Sequence, residues 1–152
     1  FMLQQGKAYW AHCGDSRIYH FRGVRTVSRS ADHSLVGELQ RKGRLDENEA
    51  LNHPQRNVLL SCLGSDREPR IEYGREEAPV AGDCFLLCSD GLWAYFTDFE
   101  LAATLQEFPP RAAAERLIAQ VRERAGGSGD NISLAVIKLV PTQSGAASTG
   151  IS

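Results

Sequence analysis

The chain has 152 residues, 42% hydrophobic and 24% charged, which suits one globular domain rather than a disordered segment. A formal net charge of -2 gives no electrostatic case for nucleic acid or an anionic membrane. No stretch approaches the roughly 20 apolar residues of a membrane span, and the four cysteines show neither a disulfide framework nor a Cys-x-x-Cys pair, which fits a reduced, cytoplasmic setting.

Phe1 opens directly on strand-like sequence without the basic and apolar regions of a leader, so the chain reads as a piece that starts inside a domain. Phe1–Leu3 and Lys7–His12 are expected as strands joined at Gln5-Gly6. After the break at Cys13-Gly14-Asp15-Ser16, Arg17–Phe21 resumes the strand pattern, with Ile18 and His20 on one face and Tyr19 and Phe21 on the other. Val24–Ser28 is a further short strand. Ser30-Ala31-Asp32 offers N-cap residues for a helix through Leu35, Val36 and Leu39 that stops at Gly43. Asp46 and Glu49 approximate a capping box for a second helix, which Pro54 closes. Asn57–Leu63 is expected as a strand or extended segment, and Ile71–Tyr73 as a short strand. The run into Phe85–Cys88 is the central strand. Helices follow from Thr97 or Asp98 to about Phe108 and from Pro110 to Gly126. Ile132–Val140 is the last strand, and residues 141–152 are small, polar and aperiodic, expected to be disordered. Strands, helices, strands, helices and a strand in that order predict an α+β fold.

The stretch Phe85-Leu86-Leu87-Cys88-Ser89-Asp90-Gly91-Leu92 drives an apolar strand into a turn that bears a carboxylate. A buried carboxylate without a partner is costly, so Asp90 needs water, a counter-charge or a cation. Gly14-Asp15 and Gly129-Asp130 repeat the acid-plus-glycine junction beside other strands. Three acids delivered by strand ends to one place would form an oxygen-only site, the chemistry Mg2+ and Mn2+ prefer. Two such ions about 3.5–4 Å apart can clamp a phosphate and activate a water for in-line attack. Spacing alone leaves an ordinary alternative open, because Asp and Gly also recur at turns for conformational reasons.

Cys13-Gly14-Asp15-Ser16-Arg17, Ser89-Asp90-Gly91-Leu92 and Gly129-Asp130-Asn131-Ile132-Ser133 resemble three ordered motifs of the bacterial metal-dependent protein phosphatases, type 2C. Ala31-Asp32-His33-Ser34-Leu35 and His53-Pro54-Gln55-Arg56-Asn57-Val58-Leu59 resemble that family's approach to its flap, and the match spans residues 7–140. The resemblance implies part of a β-sandwich flanked by helices, the C-terminal portion of a phosphatase domain over residues 1–140, with a flap-like region over 32–80. It implies hydrolysis of phosphoserine and phosphothreonine in proteins, with two Mn2+ or Mg2+ ions and a weaker third. Asp90 and Asp130 match the catalytic acids that bind the metal pair, and Asp15 matches an acid linked to the third ion. Partners implied are a phosphoprotein substrate and a cognate serine/threonine kinase pathway. The family's first-half motifs (a bridging Asp-Gly, a phosphate-binding arginine, a general-acid histidine) have no counterpart here, and Ala94 stands where many relatives carry an acid. The fragment alone is therefore expected to be inactive. Its strand edges are expected to be covered by a missing N-terminal half or a second copy. The alternative from another class is a catalytically dead phosphatase-like module that binds a phosphoprotein.

Other residues have plainer readings. His33 reads as a capping or flap residue rather than a triad member, because no Gly-x-Ser-x-Gly elbow exists. His12 and His20 read as packing or surface residues. Cys84 and Cys88 share a strand face and read as buried hydrophobes. Arg17 reads either as orienting Asp15 or as a surface residue, and Trp93 as core or rim.

Overall fold

The computed structural model describes residues 1–127 and 129–141. Seven strands and five helices follow in chain order: β1 Met2–Gln4, β2 Lys7–His12, β3 Arg17–Arg22, β4 Arg25–Arg29, α1 Leu35–Arg41, α2 Glu47–Leu51, β5 Glu72–Glu76, β6 Asp83–Cys88, α3 Asp90–Trp93, α4 Asp98–Glu107, α5 Pro110–Arg124 and β7 Leu134–Lys138. They form an antiparallel sheet ordered β1-β2-β5 and a second ordered β4-β3-β6-β7. This is the expected α+β arrangement.

Side-chain alternation along β3 and β6 builds the layers. On one face, Tyr19, Phe21, Cys84, Leu86 and Cys88 pack with Leu101, Ala102 and Leu105 of α4 and Ala113, Leu117 and Val121 of α5. On the other, the Phe85 ring sits between the sheets, with centroids 4.5 Å from His20, 4.8 Å from Phe1 and 6.0 Å from Trp10. Cys84 and Cys88 are free, buried thiols on the helix side, as their spacing predicted.

Local sequence explains the ends. The hairpin between β1 and β2 needs two left-handed residues, and Gln5 and Gly6 supply them with φ of 50° and 72°. Capping boxes close Asp46 with Glu49 and Thr97 with Glu100. The first helix starts later than expected. Ser34, not Ser30–Asp32, is its N-cap, accepting the Gly37 N–H, because Ala31 and Asp32 are held by His12 and Arg17. Residues 57–63 form no strand. Only an isolated bridge joins Leu59 to Ser34 there, and Val58, Leu59, Leu60 and Leu63 stay exposed. β5 runs to Glu76, farther than the apolar pattern suggested, since Gly74 leaves room for the Trp10 indole that lies over it. The tail expected to be disordered lies, beyond residue 141, outside the described residues.

One buried polar knot pins the sheets together. Asp83 is fully buried and takes two hydrogen bonds from Arg22, at 2.7 and 2.9 Å, and one from the Val80 N–H at 3.0 Å. His20 lies 3.1 Å from the same carboxylate and 3.7 Å from Glu76. Burial pushes the Asp83 carboxyl up, but Arg22, Val80 and His20 outweigh it and hold it at about 2. A depressed carboxyl adds stability that is complete above its unfolded value and disappears as pH falls through its folded value. Asp83→Asn should lower the melting temperature at neutral pH. It should also flatten the loss of stability between pH 3.8 and about 2, read by circular dichroism melts across that window.

Candidate metal centre

Strand register places the three acids at one end of the second sheet. Arg17 pairs with Cys88 across β3 and β6, and Cys88 pairs with Leu134 across β6 and β7, so these strands end on one line. Asp15 precedes the first of them, Asp90 follows the second and Asp130 precedes the third. All three line one cavity of about 780 Å³. The corner after β6 is pressed against the 130–131 loop. A Cβ on Gly91 would collide with the Asn131 carbonyl oxygen, so the glycine serves close approach rather than a left-handed turn. Ser89 fastens the same corner, its hydroxyl donating to the Asn131 carbonyl at 3.3 Å and accepting the Ser133 N–H at 3.1 Å. Gly14, by contrast, does turn, with φ of 104°.

Asp90 and Asp130 are held alike. One oxygen of each accepts the next residue's N–H, Gly91 at 2.8 Å and Asn131 at 2.7 Å. Asp15 is half-buried, and its carboxyl is pushed up first by burial and then by the negative charge of Asp90. The guanidinium of Arg17, which lines the same cavity, is already committed. Arg17 makes a two-pronged pair with Asp32, at 2.9 and 2.8 Å, and donates to the Tyr19 hydroxyl at 3.2 Å. Its hydrogen bonds therefore go to Asp32 and Tyr19 rather than to Asp15, and its side chain is mostly buried. Burial works against its charge, but Asp32 and Tyr19 more than restore it.

The donor set tests the fit to a divalent cation. It consists of hard carboxylate oxygens, it concentrates negative charge, and its nearest positive charge is neutralised elsewhere. That suits Mg2+ or Mn2+. Ala94 lines the cavity without adding a ligand.

A second cluster is not such a site. His12, His33 and Glu72 bring one ligand atom each within 4.8 Å of one another. The two rings stack at 4.6 Å, but both His33 nitrogens and His12 Nε2 are occupied. The Gly14 N–H donates to His33 Nδ1 at 3.3 Å, which puts the ring proton on Nε2, where it meets Glu72 at 3.2 Å. A metal on Nε2 would need a proton on Nδ1, where Gly14 already points one. His12 Nε2 donates to the Ala31 carbonyl at 2.9 Å. His33 instead latches the turn before Asp15, since its own N–H also donates to the Gly14 carbonyl at 2.8 Å. Sequence reasoning did not foresee the Arg17–Asp32 pair or the His33 latch. Their only local signal is proximity to the acidic motifs.

No family model matches the chain. It is 35% identical over 133 residues to the protein phosphatase PhpP of Streptococcus pneumoniae, covering 88% of this chain and 53% of that protein. The Streptococcus agalactiae serine/threonine phosphatase superposes with a TM-score of 0.80 at 31% identity, covering 90% of this chain and 56% of that one. The catalytic domain of the phosphatase PstP, solved in complex with two manganese ions, superposes with a TM-score of 0.72 at 30% identity, over 92% and 56% of the two chains. The fold is that of a phosphatase of the PPM class. The homologues of this chain are bacterial PPM-type serine/threonine phosphatases, and it spans about half the length of the relatives it matches.

Because Asp15 is held against another negative charge without a cation, removing its charge should relieve the metal-free fold. Asp15→Asn should raise the metal-free melting temperature by about 2–4 °C, the shift expected for ~1 kcal/mol in a chain of this size. It should also reduce the further rise produced by adding Mn2+. Differential scanning calorimetry with and without the ion reads both.

Proposed function

We propose that the full-length protein hydrolyses phosphoserine and phosphothreonine esters in phosphoproteins, using divalent cations held in part by Asp90 and Asp130, with Asp15 at a weaker third position. The observation that carries this reading is the convergence of these acids on one cavity. The manganese pair in the PstP catalytic domain supports Mn2+ as the ion, and the oxygen-only donors equally admit Mg2+. When bound, such ions supply Lewis acidity toward the phosphoryl oxygens and make hydroxide available near neutral pH.

The residues of this chain do the holding. The next-residue N–H groups fix the Asp90 and Asp130 carboxylates, so little reorganisation is left when charge builds on phosphorus. Asp15 extends the negative end of the cavity. Arg17, already paired with Asp32, leaves the acids free to take a cation.

The reading extends to the cell. It implies phosphoproteins made by a serine/threonine kinase as substrates, and the free thiols suit a cytoplasmic setting. No helix among the described residues is long and apolar enough to cross a membrane. The exposed edge of β1 is a surface for the remainder of a sandwich or a second copy to cover. The relatives it matches are named as phosphatases, which gives no support to a dead binding module.

The test uses the full-length protein, Mn2+ and a phosphothreonine peptide. Asp90→Asn and Asp130→Asn should each lower kcat by roughly 100-fold or more, the scale of losing one group that stabilises transition-state charge. Chelation should abolish turnover and Mn2+ restore it. Activity unchanged in either variant would remove the metal role from these residues.

A further inference from the structure

We infer that Trp93, backed by the Arg17–Asp32 ion pair, is a positioning residue that sets the backbone of Asp15 against Asp90. This rests on the metal reading of the acidic corner and adds to it the device that holds the corner closed.

The geometry has three parts. Trp93 Nε1–H donates to the Asp15 main-chain carbonyl at 3.0 Å, across 78 positions of sequence. Asp90 and Trp93 are three residues apart in α3, so carboxylate and indole leave the same face of one turn and both meet the 14–16 loop. The Arg17 guanidinium stacks over the Trp93 ring at 3.6 Å, and Asp32 grips that guanidinium from its far edge. The Arg17 and Asp32 side chains are only 11% and 8% exposed, so the brace is shielded from solvent and salt.

The brace opposes a specific force. Asp15 and Asp90 carry like charges, and before a cation arrives that repulsion drives their loops apart. A hydrogen bond from the residue one turn beyond Asp90 to the peptide of Asp15 resists the separation without using either carboxylate. It thereby keeps the loop of Asp15 beside the helix that carries Asp90, on the cavity both acids line. An indole buried only to fill space would need some acceptor for its N–H. Here the acceptor is the backbone of the acid that the neighbouring carboxylate repels.

Trp93→Phe keeps an aromatic face under Arg17 and deletes only the donor. In the full-length protein the Mn2+ concentration for half-maximal activity should rise about 10-fold, the lower end of the range for lost outer contacts to metal ligands. The kcat at saturating Mn2+ should be largely restored, and the metal-free melting temperature should change little. Direct Mn2+ titration by calorimetry should show the same loss of affinity. An unchanged activation constant overturns the inference, as does a loss of kcat that saturating Mn2+ fails to recover. Wild-type protein indifferent to Mn2+ would instead overturn the metal reading itself, and this inference with it.

Discussion

The acidic corner depends on three strands stopping on one line. Arg17, Cys88 and Leu134 are level across β3, β6 and β7, so the segments beyond them leave the sheet at the same end. A one-residue slip of β6 would turn its side chains to the opposite faces, moving Phe85 out of the space between the sheets and Leu86 out of the helix-side core. It would also carry Asp90 off the line. Packing and site placement therefore enforce the same register, and no separate device is needed to gather the acids. Gly91 completes the constraint by admitting the Asn131 carbonyl into the space a side chain would fill.

Two carboxylate sites show how differently this fold treats negative charge. Asp83 is buried deeper than Asp15, yet two guanidinium bonds, a main-chain N–H and His20 satisfy it, and its carboxyl is held at about 2. Asp15 is less buried, faces another acid, and its carboxyl is pushed up. The first is a structural clamp, complete within the protein. The second is left electrostatically incomplete although an arginine stands two residues away, because Asp32 has already claimed that arginine. That contrast supports the proposed cation site at Asp15 and Asp90.

The features legible in the sequence were those set by short-range pattern. Alternation along Arg17–Phe21 and Cys84–Cys88 gave the correct faces, and the Asp46–Glu49 capping box, a cap at Thr97 or Asp98 and the Pro109-Pro110 break gave helix ends, because each is decided within a few residues. The acids were legible because glycine-flanked aspartates at strand ends are few, and their order resembled a known family. What escaped was settled by partners distant in sequence. Asp32 looked like a helix cap but is taken by Arg17, which moved the cap to Ser34. The apolar run at 57–63 looked like a strand but finds only one bridge. Trp93 looked like core or rim, and its donor reaches a carbonyl 78 positions away that no periodicity reveals.

The proposed preference for a hard cation rests on where the soft donors are turned as much as on the aspartates. Cys88 lies two residues before Asp90, but strand alternation sends its thiol into the helix-side core, where burial pushes it up to about 12 and denies the thiolate a metal would need. Cys13 lies two residues before Asp15, yet its sulfur sits 3.4 Å from the Ser61 hydroxyl and does not line the acidic cavity. His33, next to Asp32, is locked by Gly14 in the tautomer that points a proton toward Glu72. Thiolate and imidazole are the ligands through which zinc and copper outcompete manganese and magnesium. Each lies close in sequence to an acidic motif, and each is committed elsewhere by the packing or hydrogen bonding of its own segment. The proposed site is left with carboxylate oxygens, and its selectivity between metals would be a consequence of strand alternation rather than of any residue placed to reject the wrong ion.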